Sequence, residues 1–329
     1  MSATIETLQC SQNKPASYKE FMRDVCAGLS RKNKQLSSKY FYDAAGSRLF
    51  NQITHHPDYY LTGCELEILK RHKKEFSVLL KDEEFNLVEF GPGEGLKTTL
   101  LINQFLKDNL SFTYFAVDIS GKYLDSLTTK LKRKQPLLKT VVLNSDYITG
   151  MEWLSLNSNK RNFLLFLGSS IGNFDIPSAK KFLQAVRDSL HVGDYFLIGF
   201  DLRKDIDVLL RAYNDRDGLT REFNLNLLRR INKELEGNFD LDSFYHYGIY
   251  NPNTGAMESY LISLKDQIVC IGALKKSFPF KKFEPIRVES SYKYSDSQIK
   301  KLAKESGFEI IKNYSDSKKY FVNSLWRAN

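Results

Sequence analysis

The sequence predicts an α/β protein whose centre is a mostly parallel sheet covered by helices. Between residues 86 and 200, five short apolar runs are separated largely by helical patterns. Strand- and helix-type segments that alternate at this spacing are typical of βαβ units. The chain has 329 residues, of which 42% are hydrophobic and 26% charged, enough for a sizeable core and two domains.

The region before the first apolar run is predicted to contain helices and loops. Apolar residues recur at helical spacing from Tyr18 to Leu29, and a second helical pattern covers Glu65 to Leu80. Aromatic and polar residues around 41–50 and 57–60 show no strong periodicity.

The five apolar runs are the predicted parallel strands, because fully buried strands read as nearly continuous apolar segments. They cover residues 86–90, 112–117, 139–143, 162–167 and 195–200. Helices are predicted at 97–106, 123–132, 179–190 and 295–306, and a terminal hairpin at 308–313 and 319–325. Five parallel strands finished by a helix and a hairpin, with the last strand antiparallel, are characteristic of Rossmann-like class I S-adenosylmethionine methyltransferases.

Residues 202–289 interrupt this pattern and are interpreted as an insertion. They contain helical patterns at 206–213 and 220–236 and strand-like runs at 259–263, 267–271 and 285–292. We expect an S-adenosylmethionine-binding methyltransferase domain at 62–202 and 291–329. A second, α+β, substrate-binding domain is expected at 1–61 and 203–290.

A glycine-rich loop follows the first predicted strand, in the stretch VEFGPGEGLK (88–97). A nicotinamide or flavin site of the GxGxxG type would want its third glycine at position 96, which is Leu96. Here the third glycine is Gly95, and Glu89 precedes Gly91 by two positions, which gives the E-x-G-x-G-x-G motif usual in S-adenosylmethionine methyltransferases. The alternative is a turn that only satisfies backbone geometry.

Two further strand ends carry acidic residues. Asp118 ends the second strand, where a carboxylate can accept hydrogen bonds from both ribose hydroxyls; its alternative role is a helix cap. Asp146 and Tyr147 follow the third strand, where methyltransferases contact adenine, and their alternative is a surface turn. These features occur in the order that a methyltransferase requires.

Bulk properties limit the function classes. The net charge of +9 raises the possibility of a nucleic-acid groove, but lysines are interleaved with acids along the chain, as in a solvated surface. No apolar run approaches the ~20 residues of a membrane span, and the first residues lack an apolar signal core. Cys10, Cys26, Cys64 and Cys270 have no metal-ligand spacing. We expect a cytoplasmic monomer without metal, nucleic-acid partner or membrane.

From about Tyr40 to the C-terminus, the sequence resembles the histidine-specific Nα-methyltransferases of ergothioneine biosynthesis. The resemblance is carried by distinctive strings: KYFYDAAGSRLFNQITHHPDYYLTGCELEIL, VEFGPGEGLKT, AVDIS, FLGSSIGNF, GFDLRKD, LLRAYND, FNLNLLRRINKELEGNFD, MESYL and VESSYKYS. The family implies conversion of L-histidine to its trimethylammonium betaine, hercynine, with three molecules of S-adenosylmethionine. The product of the methyl donor is S-adenosylhomocysteine.

The resemblance also implies site residues. Positions expected to bind S-adenosylmethionine are Gly91, Lys97, Asp118, Asp146 and Tyr147. Positions expected to bind the substrate are Tyr59, Gly168, Asn173, Tyr213, Met257, Glu289 and Ser291. Tyr42 and Phe50 correspond to aromatic residues near the point of methyl transfer, where cation–π contact would favour the methylated ammonium; core packing is their alternative role.

These residue types suit a small substrate with a carboxylate, an amine and an imidazole. Asn173 and Tyr213 can hydrogen-bond the carboxylate, while Glu289 and Ser291 can accept from the two imidazole nitrogens. An amino acid without such a ring would leave a buried Glu289 poorly paired, which is costly. Outside the family context, Glu289 reads as an ordinary strand residue on a solvated face.

Three other functions remain open at this point. The first is Nα-methylation of another aromatic amino acid or amine. The second, prompted by the charge, is a nucleic-acid methyltransferase, which requires a basic groove lined by aromatic residues. The third is a binding protein that keeps the pocket but has lost turnover.

Overall fold

The computed structural model describes residues 5–8 and 18–329, so Cys10 lies outside the described residues. The chain divides into two compact units. The first unit contains Met1–Pro15, Gly63–Leu202 and Tyr294–Asn329, and the second contains Ala16–Thr62 and Arg203–Lys293.

The regular elements alternate between strands and helices through the middle of the chain. The strands are β1 (Ile5–Leu8), β2 (Phe85–Phe90), β3 (Phe112–Asp118), β4 (Thr140–Asn144), β5 (Arg161–Phe166), β6 (Tyr195–Asp201), β7 (Phe244–Asn251), β8 (Ala256–Ser263), β9 (Gln267–Ile271), β10 (Lys276–Phe280), β11 (Pro285–Tyr292), β12 (Phe308–Ser315) and β13 (Phe321–Ala328). The helices are α1 (Tyr18–Leu29), α2 (Ala44–His55), α3 (Tyr60–Leu79), α4 (Leu96–Lys107), α5 (Gly121–Lys134), α6 (Tyr147–Asn157), α7 (Ile176–Asp188), α8 (Ile206–Tyr213), α9 (Leu219–Leu235) and α10 (Asp296–Glu305).

The first unit is built on an eight-stranded sheet in the order β1-β4-β3-β2-β5-β6-β13-β12. The six strands from β1 to β6 run parallel, and β13 is antiparallel to both β6 and β12. All six residues of β2 are buried, as expected for a central strand covered on both faces. The predicted Rossmann-like class I fold, with its antiparallel last strand, is confirmed.

One segment differs from the predicted organisation. Ile5–Leu8, which the sequence analysis placed with helices and loops of the substrate-binding domain, is an edge strand of this sheet. Its four residues pair in parallel with β4, from Ile5 opposite Thr140 to Leu8 opposite Leu143. A four-residue strand is too short to show the alternation on which a sequence-based prediction depends.

The second unit has its own sheets and core. The strands β11, β8 and β7 form an antiparallel sheet, and β9 pairs with β10 in a hairpin. Buried residues of α1, α9 and these strands make one hydrophobic cluster, which includes Phe21, Leu228, Ile231, Leu261 and Ile286. The unit is therefore α+β. None of the described helices of either unit is both long and apolar enough to cross a membrane.

Candidate active site

A left-handed glycine turn joins β2 to α4 in the first unit. Gly91, Gly93 and Gly95 have φ values of 62°, 53° and 69°, which side chains disfavour. A Cβ atom at Gly91 would lie 2.8 Å from the Tyr147 hydroxyl oxygen, whereas a Cβ at Gly93 would meet nothing within 4 Å. The Gly91 amide donates to the carbonyl of Val117 on β3 over 2.9 Å, so the turn lies beside the end of that strand.

Glu89 fixes the base of this turn. Its buried carboxylate accepts hydrogen bonds from the hydroxyl of Thr98, on α4, and from the hydroxyl of Tyr114, on β3, the latter at 2.5 Å. Burial raises the pKa of Glu89 to about 7. The glutamate of the sequence motif therefore connects β2 to its neighbouring strand and to the helix that follows the turn.

Asp118 lies at the carboxyl end of β3, half-buried. Its Oδ1 accepts a hydrogen bond from the Ser120 amide at 2.8 Å, and burial raises its pKa to about 6. The N-cap position of α5 is occupied by Ser120. Asp118 is thus not the cap residue of that helix, and it sits at the strand end where ligands of open α/β sheets bind.

Asp146 and Tyr147 have different surroundings. Asp146 is the exposed N-cap of α6, and its carboxylate accepts from the amide and the hydroxyl of Thr149 at 3.0 and 2.7 Å. The Tyr147 ring stacks on Phe90 with 4.7 Å between centroids, and burial raises the pKa of its hydroxyl. Asp146 therefore has a structural capping role, while Tyr147 lines the glycine turn.

Lys97, in the first turn of α4, is held by a buried carboxylate that the sequence analysis did not single out. Its ammonium lies 2.6 Å from Oε2 of Glu65, a residue of α3 with no exposed surface. The same oxygen accepts from the Gly168 amide at 2.9 Å, and Oε1 accepts from the Asn323 side chain at 3.1 Å. Glu65 thus joins α3, α4, β13 and the loop after β5.

Two residues predicted to bind the substrate also belong to the first unit. Gly168, with φ of 79°, lies so close to Lys97 that a Cβ there would be 3.1 Å from the ammonium. Asn173 ends a short 3₁₀ helix after β5, and its side chain is exposed. The other residues predicted to bind the substrate lie in the second unit.

In the second unit, the predicted aromatic residues form one cluster. The Tyr42 and Phe50 rings meet edge to face at 5.4 Å between centroids, and Phe50 and Tyr59 do so at 6.3 Å. Phe223, on α9, contacts Tyr42 and Phe50 at 5.7 and 5.6 Å. More than a third of the Tyr42 surface is exposed, so this cluster is not sealed inside the core.

A second set of predicted residues gathers on one face of the sheet β11-β8-β7. A β-bulge between Arg287 and Glu289 resets the register, after which Glu289 faces Ser259 and Ser291 faces Met257. The Glu289 carboxylate accepts from the Ser259 hydroxyl at 3.2 Å. Its pKa is raised by burial, against which the nearby Lys293 ammonium acts.

Tyr213, the last residue of α8, joins this set. Tyr213 and Met257 pack in one buried cluster, with Tyr59 against it. The Lys293 ammonium, almost completely buried, donates to the Tyr213 hydroxyl at 2.8 Å and to the Ser291 hydroxyl at 2.9 Å. The structure therefore brings together five of the seven predicted substrate residues, namely Tyr59, Tyr213, Met257, Glu289 and Ser291.

A family model described as histidine-specific methyltransferase, SAM-dependent, matches residues 21–328. The chain belongs to this family. Membership agrees with the class I sheet and with the glycine turn, and it identifies S-adenosylmethionine as the methyl donor.

Similar proteins carry related names. The chain is 33% identical to a histidine N-alpha-methyltransferase of Mycobacterium tuberculosis over 92% of its own length and 93% of the relative's. It is 30% identical to ergothioneine biosynthesis protein 1 of Schizosaccharomyces pombe over 88% of its length, which is 38% of that longer protein. The chain is 26% identical to the N-methyltransferase imqF of Aspergillus flavus over 90% of its own length and 82% of the relative's length.

Four residues at these sites were missed by the sequence analysis: Glu65, Phe223, Ser259 and Lys293. Only Lys293 carried a usable signal, because it continues the alternation of Glu289 and Ser291 one residue beyond the end of β11. Among residues 5–8 and 18–329, no three His, Cys, Asp or Glu side chains are grouped so that they could hold a metal ion.

Proposed function

We propose that this chain transfers methyl groups from S-adenosylmethionine to the α-nitrogen of L-histidine, three times, to give hercynine in ergothioneine biosynthesis. The observation that carries this proposal is the cluster in the second unit, where a half-buried carboxylate, two hydroxyls and an apolar wall stand together. Family membership and the mycobacterial and yeast relatives support the same substrate.

The first unit has the features that S-adenosylmethionine requires. The turn at Gly91 leaves room that a Cβ would fill, and Asp118 offers a carboxylate at the neighbouring strand end for the ribose hydroxyls. Tyr147 would contact adenine beside Phe90. Lys97, held by Glu65 at the start of α4, would be a further contact of the donor. When bound, the donor supplies a methyl group on a positively charged sulfur.

The second unit has groups that match the three parts of histidine. Glu289 would accept from an imidazole N–H, with Ser291 at the other ring nitrogen. Tyr213 would hydrogen-bond the carboxylate. An indole has a single N–H and no acceptor nitrogen, so L-tryptophan would leave one of the ring-binding groups without a partner.

Catalysis by these residues is mainly placement, because a sulfonium methyl is already activated and the amine must approach it in line. Tyr42 and Phe50 form a partly exposed aromatic wall. Such a wall would stabilise the positively charged methylated ammonium through cation–π attraction. Both residues would therefore lower KM for the methylated intermediates more than for histidine.

Calorimetry tests the choice of substrate. With S-adenosylhomocysteine present, L-histidine should bind and L-tryptophan should bind at least ~100-fold more weakly, since one of the ring-binding groups would be left without a partner. Equal affinities for the two amino acids would contradict the proposal.

A second candidate is Nα-methylation of a different aromatic amino acid or amine. The likeness to the Aspergillus N-methyltransferase favours it, because that relative is named for no histidine substrate. A panel of aromatic amino acids and amines assayed beside L-histidine would distinguish the two.

We also propose that the enzyme acts as a monomer in the cytoplasm and needs no metal. The scattered cysteines support a reducing compartment, and Cys26, Cys64 and Cys270 form no disulfide with one another. Sedimentation at micromolar concentration should give a mass near 38.1 kDa, and added chelator should leave turnover unchanged. A dimer, or loss of activity with chelator, would contradict this part.

A further inference from the structure

Lys293 is a lysine in an unusual place. It has 1% of its surface exposed and follows β11 in the second unit. Its ammonium donates to two hydroxyls, those of Tyr213 and Ser291, and lies 4.7 Å from the centre of the Tyr213 ring. Burial of an ammonium without hydrogen-bond partners costs free energy, and the two hydroxyls compensate this cost for Lys293.

The direction of these two hydrogen bonds is fixed by chemistry. An ammonium group has three donors and no acceptor, so both hydroxyl oxygens must accept from Lys293. Each hydroxyl then directs its own proton away from Lys293. The Tyr213 and Ser291 hydroxyls therefore act as hydrogen-bond donors toward groups other than Lys293.

Glu289, in contrast to these two hydroxyls, acts as a hydrogen-bond acceptor. It lies two residues before Ser291 on the same face of β11, and its carboxylate accepts a hydrogen bond from the Ser259 hydroxyl at 3.2 Å. Burial raises its pKa, and the nearby Lys293 ammonium acts against that shift. An ionised carboxylate can only accept. The face therefore presents one acceptor, from Glu289, beside one donor, from Ser291.

We propose that Lys293 is a positioning residue that makes Tyr213 and Ser291 hydrogen-bond donors, so that the site selects the neutral imidazole of histidine. A neutral imidazole has one N–H, for Glu289, and one acceptor nitrogen, for the Ser291 hydroxyl. An imidazolium has two N–H groups, one of which would meet the Ser291 proton. This inference rests on the proposed function, and it replaces the expectation that Ser291 accepts from the ring.

A double-mutant cycle tests the coupling between Lys293 and Ser291. L-histidine affinity is measured by calorimetry, with S-adenosylhomocysteine, for wild type, Lys293→Met, Ser291→Ala and the double variant. Ser291→Ala should weaken binding about tenfold alone but less than about twofold in the Lys293→Met background, because the hydroxyl is no longer held as a donor. Additive losses would overturn the proposal.

A matched control removes another poorly exposed lysine of the same unit. Lys34 pairs with Glu284 and has 10% of its side chain exposed. Lys34→Met should lower thermal stability as Lys293→Met does, but it should leave histidine affinity unchanged.

Lys293→Met should raise KM for histidine much more than it lowers kcat, and Lys293→Arg should restore part of the increase in KM. A uniform loss of kcat in Lys293→Met would indicate a merely structural role and overturn the proposal.

A ligand experiment keeps the inference testable should Lys293→Met fail to fold. Fluorine at carbon 2 of the imidazole keeps the ring of 2-fluoro-L-histidine neutral at pH 6, whereas much of L-histidine is then protonated. Wild type should bind the analogue at least as tightly as L-histidine at pH 6, and a much weaker affinity would overturn the proposal. If wild type binds and methylates neither compound, the proposed function has failed instead.

Discussion

At the scale of single residues, Gly91 combines two constraints. Its φ of 62° is unfavourable for a side chain, and a Cβ would come 2.8 Å from the Tyr147 hydroxyl. We expect Gly91→Ala to lower stability by about 1–2 kcal/mol and to weaken S-adenosylhomocysteine binding more than tenfold, because the turn must shift. Urea unfolding and calorimetry measure the two effects.

Gly63 is the control for this substitution. It lies within α3, and a Cβ there would meet nothing within 4 Å. Gly63→Ala should stabilise the protein by roughly 0.5–1 kcal/mol, the usual preference for alanine inside a helix, and leave ligand affinity unchanged. Equal behaviour of the two variants would show that the Gly91 turn does not shape the donor site.

Glu289 allows a test of ring recognition. Glu289→Gln keeps the shape of the side chain but replaces one acceptor oxygen with a donor and removes the charge. Histidine affinity should fall about 10- to 100-fold, the value of a hydrogen bond to a charged group, with S-adenosylhomocysteine affinity unchanged.

The control for Glu289 is Glu258, a buried carboxylate one strand away. It is bonded to Asn251 and Tyr260, and it neighbours Ser259, whose side chain points to the opposite face. Glu258→Gln should affect stability and not histidine affinity. If it weakens histidine binding as much as Glu289→Gln does, the assignment of the ring to Glu289 is wrong.

At the scale of elements, Glu65 links α3 to the start of α4 and to the loop after β5. Removing one partner of a buried ion pair leaves the other uncompensated, but Lys97 keeps 22% of its side chain exposed and can be partly solvated. We expect Glu65→Gln to cost about 2–3 kcal/mol in urea unfolding and to weaken S-adenosylhomocysteine binding.

Glu67, on the same helix, is the comparison for Glu65. It is more exposed, pairs with Arg71 one turn later, and accepts hydrogen bonds from the amide and hydroxyl of Ser317, which a glutamine can partly keep. Glu67→Gln should cost at most about 0.5 kcal/mol, as surface ion pairs do. Comparable losses in the two variants would contradict the role given to Glu65.

The end of β3 gives the site a pH dependence. The ribose hydroxyls need Asp118 as a carboxylate, and burial raises the pKa of Asp118 to about 6. Protonation increases as pH falls through this value, so S-adenosylhomocysteine affinity should decrease about tenfold between pH 7.5 and 5. The Asp118→Asn variant should bind S-adenosylhomocysteine weakly at all pH values. Any pH dependence of affinity that remains in this variant is assigned to Glu89, whose pKa is about 7. A slope of full size in Asp118→Asn would contradict this assignment.

Elements with strong periodicity could be predicted from the sequence, and elements defined by local capping could not. The buried strands β2 to β6 were placed within one or two residues because their apolar runs are continuous. Helix α2 was missed since its aromatic and polar residues lack periodicity; its start is set by Asp43, whose carboxylate accepts from the Gly46 amide at 2.7 Å. Helix α6 and the strands β7 and β10 were also missed.

At the scale of the whole molecule, the two parts of the candidate site differ in how far the sequence reveals them. The residues for the methyl donor follow from strand order and the glycine motif. The residues for the substrate, such as Tyr213 and Glu289, are distant in sequence and came only from the family resemblance. Glu65 and Phe223 could not be found either way, because each is one polar or aromatic residue in a helix and only folding supplies its partners.

The most direct test of the central claim, that this chain is a histidine Nα-trimethyltransferase, is mass spectrometry of L-histidine incubated with the protein and S-adenosylmethionine. We expect products that carry one, two and finally three added methyl groups, all on the α-nitrogen in fragment spectra. An unchanged substrate, or methyl groups on the imidazole ring, would contradict the account.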